Sequence, residues 1–168
     1  MEGFERFGPA RPLATAEEVS ATESAVGRPL PTSLREMLLT VRNGDRVRAN
    51  QLTRHPEVGV DNFLRAGLEG TDTILSRCEE LGGELPAWFL PFADCDGGNL
   101  LGMDGEGRIF FWDHEEPDPN QAVTLVAPSL SALEDDVREV VVAPEDVSYT
   151  GWVNPDFAET LRKLREEA

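Results

Sequence analysis

Lysine is almost missing from this chain: Lys163 is the only one in 168 residues. Basic residues of both kinds total 15 against 32 acidic ones, for a net charge of −17. Binding to nucleic acid depends on Lys and Arg neutralising phosphates, so a chain this poor in cations repels such a partner. Cysteine is nearly as scarce. Cys78 and Cys95 stand 17 positions apart with no CxxC spacing, which argues against a disulfide framework and a thiolate zinc site. Both are expected to be plain reduced thiols. No apolar run approaches the roughly 18–20 residues of a membrane span. The opening MEGFERFGPARP carries Glu2 and Glu5 and has no signal-peptide core. These absences predict a soluble cytoplasmic protein with no membrane partner.

Catalytic motifs are missing too. There is no G-x-S-x-G elbow and no P-loop, and neither cysteine lies in a recognisable nucleophile motif. Carboxylate pairs abound, but 32 acids in one chain bring such pairs together by chance. The expectation is a non-enzyme with no cofactor and no small-molecule substrate.

What the chain does have is acid, unevenly placed. From Asp94 onward there are 18 Asp/Glu against 5 Lys/Arg, so that segment carries −13 of the −17. Such a field suits fast, steered association with a basic partner protein, and it also keeps a protein soluble.

A chain of 168 residues is about one domain. After a loose leader, 1–14, TAEEVSATESAVG predicts a helix with Thr15 and Glu18 as a capping box and Gly27 as its left-handed stop. Val19, Thr22 and Val26 share its apolar face. LPTSLREMLLTVRNGD predicts a second helix opened by a Ser33/Glu36 box, with Leu34, Leu38 and Val41 on one face and Asn43-Gly44 as its end. Four residues, Arg28 to Pro31, join the two into a helical corner. Further on, EVGVDNF reads as a short strand. TDTILSRCEELGG reads as a third helix capped by Thr71.

The periodicity then changes. WFLPFA, NLLGM, RIFFW and VTLVA are strand-length apolar runs separated by DCDGG, DGEG and a longer acidic loop. An antiparallel meander follows, with helices at both ends of the chain available to cover one face. SALEDDVREVV predicts a helix opened by Ser131 and Glu134, and NPDFAETLRKLREEA a last one capped by Asn154.

Two stretches invite a metal. DCDGGNLLGMDG begins like a calcium loop, but with Asp94 at position 1 the bidentate Glu of position 12 is Gly105 and the Gly of position 6 is Asn99. DHEE offers Asp113, His114, Glu115 and Glu116. Zinc needs three or four convergent ligands, and the other histidine, His55, is remote in sequence. Neighbouring strand residues also point to opposite faces. No metal is expected. In RIFFW one alternating face carries Phe110 and Trp112, expected in the core at about 1.5–3 kcal/mol for a Phe-sized side chain. Phe111, on the other face, either packs under a helix or stays exposed beside the acids as an anchor for a protein partner.

Taken in order, these segments resemble the SUKH superfamily of fungal cell-wall synthesis regulators and bacterial immunity proteins. Glu17, Glu18, Val19, Glu23, Val26 and Gly27 are similar to its first helix. Leu30, Pro31, Leu34, Leu38, Leu39, Asn43 and Gly44 are similar to its second, with Asp45 where the family has a second glycine. LPFADCDGGNLLGMD, GRIFFWDHE and VAPSLSALEDDV resemble its later segments, the last with Leu130 and Leu133 where Phe is more usual. The likeness covers 15–142 and leaves 143–168 as a C-terminal extension with a helix.

The resemblance implies an α+β fold, a mainly antiparallel twisted sheet flanked by N-terminal and C-terminal helices. It implies a non-enzymatic immunity protein that neutralises a cognate toxin domain, for which a basic nuclease is the electrostatic complement; the alternative is a regulatory protein-protein adaptor. WDHE is then scaffold and part of the partner-facing surface. Asp113 would cap the strand exit, and His114 would bridge a backbone carbonyl and a carboxylate. The partner-binding candidates are Asp94, Asp96, Asp113, His114, Glu115, Glu116 and Phe111.

Overall fold

The computed structural model describes residues 3–118 and 121–140. The helix expected from Asn154, and with it the extension 143–168, lies outside the described residues. In chain order the elements are α1 (Ala16–Val26), α2 (Thr32–Thr40), β1 (Asn50–Leu52), β2 (Val60–Phe63), α3 (Ile74–Leu81), β3 (Leu90–Cys95), β4 (Leu100–Met103), β5 (Ile109–Trp112), β6 (Val123–Ala127), α4 (Leu130–Asp136) and β7 (Val137–Glu139). Strands β2 to β6 form one antiparallel sheet in sequence order. β1 and β7 pair separately, antiparallel. This is the α+β architecture, with helices before and after a meander.

The helical corner forms as its residues dictate. Thr15 accepts from the Glu18 N–H at 3.1 Å while Glu18 accepts from the Thr15 N–H at 2.8 Å, which satisfies two otherwise orphaned donors. Gly27 takes the left-handed conformation, φ 78°, that ends α1. Glu23 then braces the turn, accepting from the Leu30 N–H at 3.0 Å and from Arg35 of α2 at 2.8 Å. The Ser33/Glu36 box does not form. Helix α2 starts behind Pro31 with no side-chain cap, and the Ser33 hydroxyl faces Met103 Sδ at 3.7 Å. Met37, rather than Val41, completes its buried face with Leu34 and Leu38; Val41 is its exposed C-cap.

Three other boundaries move for local reasons. Helix α3 is capped by Thr73, not Thr71, in a box with Ser76. Ser129, not Ser131, caps α4 by accepting from the Ala132 N–H at 3.2 Å, because Leu130 and Leu133 must face the core. Helix α4 stops at Asp136 and the chain straightens into β7, where Val137 and Arg138 register with Leu52 and Gln51.

The leader, expected loose, is packed into the domain from Gly3 on. Phe4 is buried and meets Phe63 edge-on at 5.3 Å. Its carbonyl accepts from the buried Arg42 guanidinium at 3.0 Å. Arg6 pairs with buried Asp45 at 2.7 Å. Asn43 accepts from the Ala66 N–H at 2.8 Å, holding the segment after β2 against the end of α2. That triplet of Asn43, Gly44 and Asp45 thus works as a junction between leader, helix and sheet.

The main core lies between the helices and the first face of the sheet, where Leu101, Ile109 and Phe111 meet Leu34, Leu38 and Val19. The second face carries a smaller buried cluster of Phe89, Leu100, Trp112 and Ala122. Phe110 and Trp112 do share a face, as their alternation requires, but it is the second face. Phe111 sits in the main core, 7% exposed, so of its two expected fates the helix-covered one is realised.

Candidate interaction surface

Two loops meet at one end of the sheet. The first follows β3, where Asp96–Gly98 makes a single 3₁₀ turn with Gly97 at φ 74°. The second follows β5, where Asp113 accepts from the Glu115 N–H at 2.9 Å and so turns the chain at the strand exit. Strands β4 and β5 are neighbours with Leu100 opposite Trp112, which brings the loops side by side. Asn99 joins them: its Oδ1 accepts from the His114 N–H at 3.0 Å and lies 3.0 Å from His114 Nδ1. The His114 bridge to a backbone carbonyl and a carboxylate is therefore replaced by one side-chain amide.

The predicted acids fall into two groups. Asp94 is committed within the fold. Arg77 donates to it through Nε at 2.7 Å and Nη2 at 3.1 Å, and Asn62 adds a bond at 3.1 Å. That charge-assisted fork raises the Arg77 pKa, and Asp94 is left only 17% exposed. Asp96, Glu115 and His114 are exposed; Asp113 and Glu116 are half-buried. Among the described residues, none of Asp96, Asp113, Glu115 and Glu116 is in an ion pair with Lys or Arg. The end of the domain thus presents acids free to meet an outside cation.

Asp61 of β2 joins this end unannounced by any motif. Burial comes first, then the charge and hydrogen bond of Asp96, in holding its carboxyl above the usual carboxylate range. The pair lines a cleft of about 420 Å³ with Glu57, Asn50 and Val140. Among the described residues no three His, Cys, Asp or Glu side chains are grouped as metal ligands. Both cysteines are free thiols, Cys95 buried and Cys78 half-buried, and burial pushes both thiols up, away from nucleophilic character.

A second feature escaped the alternation pattern. Trp88, 44% exposed, packs edge-on against half-buried Phe110 at 4.7 Å, and Leu125, 50% exposed, stands opposite Phe110 on β6. Phe111 is thus not exposed; the partly exposed aromatic of this strand is Phe110, one residue earlier and on the other face. The signal was present in Gly102, which faces Phe110 across the ladder. A Cβ there would stand 2.2 Å from the Phe89 ring, so that glycine marks where an aromatic lies flat on the sheet.

The arrangement is that of an α+β domain with an acidic end and a partly uncovered sheet face. The chain belongs to the SMI1/KNR4 family (SUKH-1), whose model matches residues 13–136. Among solved structures it is similar to the crystal structure of a protein from Pseudomonas syringae pv. tomato, at 16% identity with a TM-score of 0.48, covering 68% of this chain and 81% of that one. No curated protein matches it. No helix among the described residues is long and apolar enough to cross a membrane.

Proposed function

We propose that this chain is a cytoplasmic, non-enzymatic immunity protein of bacterial type that binds and neutralises a cognate toxin domain. Family membership supports the kind of domain. The observation that carries the reading further is the pairing of loops 96–99 and 113–116 through Asn99 and His114, which sets Asp96, Asp113, Glu115 and Glu116 at one end with no Lys or Arg partner among the described residues. A toxin that acts on nucleic acid needs cations to hold phosphates, so a nuclease is the class whose surface such an end complements. Occlusion of its site requires no cofactor from the inhibitor.

The test is to co-express the chain with a basic nuclease-type toxin domain sought among the neighbouring reading frames. Rescue of growth together with co-purification is the expected result. Failure of both with an active toxin overturns the reading.

A regulatory adaptor is the second reading, and the matched model favours it, since it is the branch named for SMI1 and KNR4. It predicts co-purification of a housekeeping protein in place of a toxin.

A further inference from the structure

The second face of the main sheet has an exposed apolar centre on a rigid base. Strand β5 sets Phe110 between Gly102 of β4 and Leu125 of β6. Trp88 leans on Phe110 at 4.7 Å and on Phe89 at 5.9 Å. Beneath them Phe89 and Trp112 are buried, so the exposed rings are held in place before any partner arrives. Preorganised aromatics of this kind lose little entropy on binding and are the side chains over-represented at binding hot spots.

The charge around this centre is graded. On one side the Arg108 guanidinium lies 5.8 Å over the Phe110 ring, but Asp104 holds it at 2.7 Å and Glu106 at 3.4 Å. On that side the one cation is offset by two carboxylates, leaving a weaker negative charge than at the other end. Toward the other end of the same face the Trp112 ring meets His114 at 6.4 Å, and the unpaired acids Asp113, Glu115 and Glu116 follow. An apolar centre with a charged rim is the anatomy of an interface between different proteins. A second copy is a poor occupant, because each chain carries −17 and the pair would repel.

We propose that Trp88, Phe110 and Leu125 form the anchor at which a basic protein partner seats an apolar side chain, with the 113–116 loop steering it from the rim. The proposal rests on the reading that the partner is a basic protein, and adds the face it occupies. The rim sets the association rate and its salt dependence, and the anchor sets the dissociation rate.

The first arm titrates a basic toxin domain that co-expression shows the chain to neutralise with full-length wild type, Leu125→Asp, Trp88→Ser and a control, Leu68→Asp, which is 55% exposed next to Gly67, whose N–H donates to Thr22 of α1. Both variants should keep the wild-type circular dichroism; Trp88→Ser gives up its ring contacts with Phe110 and Phe89 and should melt somewhat lower, so binding is compared well below either melting temperature. Weakening of roughly 30-fold or more by the two face variants, with the control unaffected, is expected for hot-spot positions. Unchanged binding by Leu125→Asp and Trp88→Ser overturns the anchor. If Asp113→Asn, Glu115→Gln and Glu116→Gln still weaken binding in that case, the immunity reading survives without it.

The second arm needs no known toxin. Benzoylphenylalanine at Leu125 is irradiated in the source cells, with the same residue at Leu68 as control. A discrete adduct, absent from the control, with an identified basic protein that in purified form binds wild type at least roughly 30-fold more tightly than Leu125→Asp supports the anchor even where the toxin assignment fails. No adduct, or an adduct with a second copy of this chain, overturns it.

Discussion

Asn99 and His114 are joined twice through one atom. Asn99 Oδ1 accepts from the His114 backbone N–H at 3.0 Å and stands 3.0 Å from its Nδ1. Because the same atom takes the backbone donor it is the amide oxygen, so His114 Nδ1 carries the proton of the second bond. This link gives the histidine that sits among acids after β5 a place in the joining of the two loops.

Removing the link should loosen the two loops together. Asn99→Ala is expected to cost about 1 kcal/mol of stability, the net worth of an ordinary hydrogen bond. Urea unfolding measures it. Amide hydrogen exchange should also quicken in both loops, 96–99 and 113–116; quickening in the first alone would show that Asn99 does not couple them.

Gly102 is required for space, not for backbone conformation. Its φ is not among the positive ones, yet an added Cβ would stand 2.2 Å from Phe89. Gly102→Ala is expected to cost about 1–3 kcal/mol, typical of overpacking. It should also shift tryptophan fluorescence, because Trp88 rests on Phe89. A variant as stable as wild type, with an unchanged spectrum, contradicts this packing.

Asp61, partly desolvated beside the Asp96 charge, gives the domain a pH signature. A carboxyl whose folded pKa is raised favours the folded state while it is protonated. Its contribution is present below about pH 4, the unfolded value, and is lost as pH rises through the folded pKa. Asp61→Asn should therefore stabilise the protein at pH 7, by a few tenths to about 1 kcal/mol given the exposure of the pair. The gain should vanish at pH 3.5. A loss of stability at pH 7 would mean that the Asp61 charge serves the fold.

How far this could be read from residue order depended on whether the determinants were local. The Thr15/Glu18 box and Gly27 needed only a few neighbouring residues, and the four strands of the meander stood between glycine-rich turns. The caps of α2 and α4 failed because Ser33 and Ser131 satisfy a local motif while tertiary packing chooses the register: Ser33 turns to Met103, and Leu130 and Leu133 fix α4. The pairing of Asn50–Leu52 with Val137–Glu139 joins two three-residue strands far apart in the chain, too short for periodicity to register. Burial of Phe4 likewise depends on Phe63 and Arg42 arriving from elsewhere.

The surface was half legible for a related reason. Acid crowding after Asp94 is visible in composition, but the commitment of Asp94 to Arg77 needs the α3–β3 geometry. RIFFW fixes that Phe110 and Phe111 oppose each other and is silent on which face the helices cover. Both faces of its neighbour NLLGM are apolar, so nothing local broke the tie.

The most direct test of the central claim is titration of a basic toxin domain that the chain neutralises on co-expression into wild type and into Asp113→Asn/Glu115→Gln/Glu116→Gln, at low and high salt. The account predicts tight binding by wild type that weakens with salt, and a triple variant that associates roughly 10-fold or more slowly with a flatter salt dependence. Binding by the triple variant as fast and as salt-sensitive as that of wild type would contradict it.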